Sequence, residues 1–215
     1  MYAFVRPHLP TIAAVVFGSL ILLAAFMLRE DALVNGDNES PKRSAELQHL
    51  YGSKKAQITI VEFADYSCGY CARAHDTMRQ LVDESNGTIA WEYRHLPILQ
   101  AVSSEAAKTA ECVSELSSVT DAFWKFTQEL FAAQHTLSSD LVLTMASTYV
   151  PDVEALQSCT ARQDILNRVA HDASVARSLG ARGTPFSVIV KSDGTLVPVA
   201  GALPYNQWKA MLASS

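Results

Sequence analysis

Apolar residues along this chain fall into three kinds of run. Residues 11–28 (TIAAVVFGSLILLAAFML) hold 18 positions without a charge, long enough to cross a bilayer with little tilt. The run has no polar face, so it does not read as a core helix. Shorter apolar runs at 57–64 and 88–95 read as strands, with Ile89, Trp91 and Tyr93 alternating as in a half-buried strand. Two more, at 185–190 and 196–199, flank Ser192-Asp193-Gly194 and predict a hairpin. Between 103 and 180 apolar residues recur at spacings of three and four, Phe123, Phe126, Leu130 and Phe131 among them, which predicts helices only.

Local signals place the boundaries. Ser44 predicts a short helix over 45–50 ended by Gly52. A helix after the first strand runs to about Asn86-Gly87. Ser103-Ser104-Glu105, Thr120-Asp121, Ser138-Ser139-Asp140 and Pro151-Asp152 each open a further helix, and Gly180 closes one over 164–179. A last helix is expected over 205–212. The order is therefore β-α-β, helices, α-β-β-α. It predicts a short cytoplasmic N-terminus (1–10), a transmembrane anchor (11–28), a linker with a short helix (29–55), a first α/β part (56–102), a helical insertion (103–163) and a second α/β part (164–215). Arg6 and the α-amino group before the apolar run favour its start inside and the body outside. A cleavable signal is disfavoured, because no good pair of small residues follows at the cleavage positions.

A net charge of −5 and a pI near 5.6, with no basic stripe, argue against nucleic acid as a partner. Four cysteines are too few for a disulfide-dense scaffold. Two of them carry the chemistry. Cys68 and Cys71 stand where a strand hands over to a helix, with Gly69 and Tyr70 between them. Free N–H groups and the positive end of the helix dipole favour a thiolate there, which is the species that attacks disulfides. A pair split by two residues can also be half of a zinc site, and His75 lies near, but no fourth ligand is evident. Glu62 is an anomaly inside an apolar strand. Buried, its pKa rises and it can exchange a proton with Cys71; solvated at a strand edge, it does nothing of the kind. Asp65 reads as a helix-entry cap and His75 as a surface residue.

Glu62-Phe63 through Cys68-Gly69-Tyr70-Cys71, then Tyr93-Arg94-His95-Leu96-Pro97 and Gly183-Thr184-Pro185, resemble the DsbA-like branch of the thioredoxin superfamily, over residues 56–212. The resemblance implies a thioredoxin fold with an inserted helical subdomain, here preceded by a transmembrane helix. It also implies a cis Pro185 facing the cysteine pair, with Thr184, Pro185 and Tyr70 lining the substrate edge. Cys68, Cys71 and Glu62 would be catalytic, with no cofactor and no metal. Partners would be unfolded or partly folded proteins with thiols, and a quinone-linked membrane protein that reoxidises the pair. The expected location is the inner membrane, with the catalytic domain in the periplasm. The Gly-Tyr dipeptide occurs in isomerases as well as oxidases; oxidation is the favoured direction, with isomerase, reductase and a metal-binding module as alternatives. In an oxidising compartment Cys112 and Cys159 are expected to pair.

Overall fold

The computed structural model describes residues 49–213. The anchor expected at 11–28, the linker, and most of the short helix expected at 45–50 lie outside them. Among the described residues no helix is long and apolar enough to cross a membrane.

Five strands form one mixed sheet in the order β1-β3-β2-β4-β5. They are β1 (Leu50–Gly52), β2 (Ile58–Ala64), β3 (Ile89–His95), β4 (Phe186–Lys191) and β5 (Leu196–Ala200). β2 and β3 run parallel, and the other pairs are antiparallel. The parallel pair needs a crossover, which α1 (Gly69–Asp83) supplies. Then come α2 (Ala101–Leu116), α3 (Ala122–Ala132), α4 (Ser139–Ser147), α5 (Val153–Thr160) and α6 (Gln163–Ser178), with α7 (Tyr205–Ala213) at the end.

Two expectations need correction. Leu50 does not end a helix; it begins β1, opposite Glu92 of β3. A single isolated turn has little to hold it, whereas the edge of β3 offers backbone partners. Tyr51 also packs edge-on against Trp91 and Trp124 there. Gly52, which resembled a helix stop, takes φ +99 at the strand end, and a Cβ there would lie 2.7 Å from Val82 Cγ1. The second correction is the start of α2, which begins before Ser103-Ser104-Glu105 rather than after it. Ser103 is buried inside the helix and its hydroxyl donates to Ser67 Oγ at 2.8 Å.

Both faces of the sheet are covered. Ile60 and Ala64 of β2 join Cys71 and Met78 of α1 and Phe126 and Leu130 of α3 in one core. Val61 and Phe63 join Val188 of β4 and Ala173 and Ala176 of α6 in the other. Strand periodicity puts Glu62 on the face of Ile60 and Ala64, beneath α1. Because β2 is the central strand, Glu62 is fully buried and not at an edge.

Candidate active site

The turn from β2 into α1 builds the site. Asp65, 1% exposed, spends one carboxylate oxygen on the Ser67 N–H at 2.8 Å. The other accepts from the Ile98 and Leu99 N–H groups at 2.7 and 2.9 Å. So Asp65 does more than cap: it ties the loop after β3 to the turn before the cysteines. Cys68 is the N-cap of α1, and its carbonyl accepts from the Cys71 and Ala72 N–H groups at 3.0 and 3.1 Å. Cys71 thus stands a turn further in, with no exposed surface, while Cys68 keeps 5%.

Both thiols are free, and their environments pull them apart. A hydrogen bond from the Cys71 side chain holds Cys68 down to about 5, against the cost of burial; the Thr184 side chain and the Cys71 and Tyr70 N–H groups add to the effect. Burial pushes the Cys71 thiol far above the usual range, reinforced by its bond to Cys68 and by the Glu62 carboxylate. Near neutral pH the pair is one thiolate and one thiol, with the proton kept on the inner sulfur.

Burial also raises the Glu62 carboxyl, to about 8, against a small opposing pull from the Trp91 indole. Neither of its oxygens has a partner in hydrogen-bonding geometry among the described residues. A neutral carboxylic acid beside Cys71 can give or take one proton near physiological pH. His75 is not on the surface as expected. It is 1% exposed, on the buried stripe of α1 with Cys71 and Met78, and packs against Trp91 and Phe131. Burial lowers its pKa to about 3, so the ring stays neutral.

Thr184 and Pro185 precede β4, joined by a cis peptide bond. The Cys68 sulfur lies 3.4 Å from the Thr184 carbonyl oxygen. Tyr70, 61% exposed, points away from the core with the Arg73 guanidinium 4.4 Å over its ring. Cys68, Cys71, Glu62 and Thr184 therefore meet at one place, with Tyr70 on its rim. Cys112 and Cys159 do not take part; they are joined in a disulfide that links α2 to α5.

A second buried cluster was not anticipated. His49 and His95 each place Nε2 on Glu111 Oε1, at 2.7 and 2.9 Å, and the Arg168 guanidinium donates to Glu111 Oε2 at 2.6 Å. Burial alone would raise the Glu111 carboxyl, but the hydrogen bonds from His49 and His95 overcome it and hold it well below the carboxylate range. Burial keeps His49 neutral more readily than usual. Among the described residues these three are the group whose donor atoms come close enough to share a metal ion. The available signal was Glu111 itself, a charge four residues after Ala107 on the apolar stripe of a helix.

The site thus combines a cysteine pair at a helix start, a buried acid on the sheet face beneath that helix, and a Thr-Pro segment against the outer sulfur. A family model described as thioredoxin matches residues 44–213. The chain belongs to the thioredoxin family. Among solved structures of this family, the thiol-disulfide exchange protein alpha-DsbA2 from Wolbachia pipientis is 25% identical. That match covers 77% of this chain and 86% of that one, with a TM-score of 0.65. DsbA2 from Pseudomonas aeruginosa is also 25% identical, covering 77% and 92%, with a TM-score of 0.62. Within that family the chain is similar to DsbA-like thiol-disulfide exchange proteins. Curated relatives of another kind are longer. The Na(+)/H(+) antiporter NhaA of Herminiimonas arsenicoxydans is 28% identical over 145 residues, 67% of this chain and 22% of the antiporter. The chain spans about a fifth of the length of the curated relatives it matches.

Proposed function

We propose that this chain oxidises thiols of unfolded or partly folded polypeptides through the Cys68–Cys71 pair, outside the cytoplasm, with residues 11–28 holding it to the inner membrane. The observation that carries the reading is the asymmetry of the pair: Cys68 at the helix cap beside Thr184, Cys71 sealed beneath it.

A substrate thiolate attacks the Cys68 sulfur of the oxidised pair. The bond to Cys71 breaks, and Cys71 leaves with the electron pair and takes the proton of Glu62. A second substrate thiolate then attacks its own partner sulfur in the mixed disulfide, and Cys68 leaves as the thiolate. The substrate has lost two electrons and gained a disulfide; the chain is left reduced, Cys68 as thiolate, Cys71 as thiol and Glu62 ionised, for a membrane redox partner to reoxidise. The stabilised Cys68 thiolate supports this direction, since whatever stabilises the reduced pair makes its disulfide more oxidising. Thr184, Pro185 and Tyr70 would line the edge where the polypeptide docks.

The test is the reduction potential of the Cys68–Cys71 couple in glutathione buffers. A value near about −120 mV fits an oxidase, and one near about −270 mV fits a reductase and overturns the direction proposed.

A further inference from the structure

The His49, His95 and Glu111 cluster lies outside the thiol site, and no step of the exchange uses it. Its donors come from three separate places: the residue before β1, the last residue of β3, and the middle of α2. Both imidazoles aim Nε2 at one carboxylate oxygen, at 2.7 and 2.9 Å. Two imidazole nitrogens and one carboxylate oxygen form the donor set that zinc and similar divalent ions take in sites with an open fourth position. The harder ions magnesium and calcium prefer oxygen alone.

The ligands are held in place beforehand. The His49 ring stacks on Phe123 with centroids 3.4 Å apart, and His95 meets the edges of Phe123 and Tyr93. Arg168 occupies the second oxygen of Glu111, so the carboxylate presents a single oxygen to the two rings. His95 Nδ1 has no partner among the described residues, so nothing on that side fixes the tautomer and Nε2 can present its lone pair.

We propose that His49, His95 and Glu111 bind one zinc-class divalent cation. With ion-to-donor distances of about 2.0–2.2 Å in a tetrahedral site, each imidazole nitrogen need part from Glu111 Oε1 by only about 0.4–0.9 Å from where it stands. The Arg168 side chain, 30% exposed, is the route in: it opposes a cation where it lies, and it can swing to solvent as the ion enters. The bound ion fastens the residue before β1 to the sheet and to α2, so its effect falls on stability rather than on thiol exchange.

The experiment uses untagged, oxidised protein, in which Cys68 and Cys71 are joined and offer no thiolate to the metal. After incubation with zinc and desalting, elemental analysis should find one zinc per chain, and the melting temperature should rise by several degrees. Cobalt in its place should give visible d–d bands of a low-symmetry site. His49→Ala, at the margin of the cluster, should remove the retained zinc and the melting shift while the far-ultraviolet circular dichroism stays the same. If the oxidised wild type retains no zinc, the proposal fails. It fails equally if His49→Ala, or Glu111→Gln should His49→Ala not fold, retains as much zinc as the wild type; the cluster is then a hydrogen-bonded ion pair only.

Discussion

The Cys68 sulfur meets the carbonyl oxygen of Thr184 at 3.4 Å, although 116 residues separate the two in sequence. The outer sulfur is thus placed between its own helix and the segment that begins β4. Replacing Thr184 by Ile should shift the reduction potential or the lifetime of mixed disulfides without unfolding the chain. Equilibration with glutathione and stopped-flow mixing measure the two quantities; if neither changes, the Thr184 side chain plays no part in the site.

The two thiols should titrate apart. Cys68, held down to about 5, should react with iodoacetamide with a midpoint near that pH, while native Cys71 stays unmodified through neutral pH. Peptide mapping after timed alkylation of the reduced protein separates them. Equal labelling of both at pH 6 would contradict the asymmetry.

The same asymmetry assigns roles. Cys71→Ser should retain a nucleophilic Cys68 but lose the internal escape, so mixed disulfides with substrate peptides accumulate. Cys68→Ser should form none. Non-reducing electrophoresis and intact mass measure the adducts, and the opposite pattern would reverse the roles.

Glu62→Gln should stabilise the reduced protein at alkaline pH. The folded pKa of Glu62, about 8, lies above its unfolded value of 4.5. Its stabilising contribution is therefore complete below about 4.5 and is lost as pH rises through 8. Relative to the wild type, the variant should gain roughly 3–5 kcal/mol between pH 4 and pH 9. Urea unfolding of both reduced proteins across that range supplies the comparison; a constant difference would mean that Glu62 does not titrate as a buried acid.

Breaking the Cys112–Cys159 bond with paired alanines should destabilise the fold. The bond spans a sequence separation of 47, for which the loop-closure cost released in the unfolded chain is about 4 kcal/mol at the upper end. Denaturant midpoints measure the loss, and thiol exchange by the remaining pair should continue below the lowered midpoint.

The meeting of Cys68 and Cys71 with Thr184-Pro185 was legible in the sequence because it lies in short patterns, each set by local backbone needs. The central place of β2 needs the full strand order, so the burial of Glu62 stayed open until the sheet was assembled. His75 was misplaced for a different reason. Its spacing from Cys71 puts both on one buried stripe of α1, where the aromatic packing around the ring outweighs its polarity. The His49, His95 and Glu111 group escaped altogether, since Glu111 meets one partner 62 residues away and the other 16 residues away, and no local pattern links them.

The proposed exchange pair shares its chain with a second, fully packed pair of cysteines. Cys112 has no exposed surface and Cys159 only 3%. Thiolate attack needs an approach to one of the two sulfurs; unlike Cys68 at the cap of its helix, both are packed in the core between α2 and α5. Burial therefore acts as quarantine. The bond stays closed to incoming thiolates for as long as those helices remain packed.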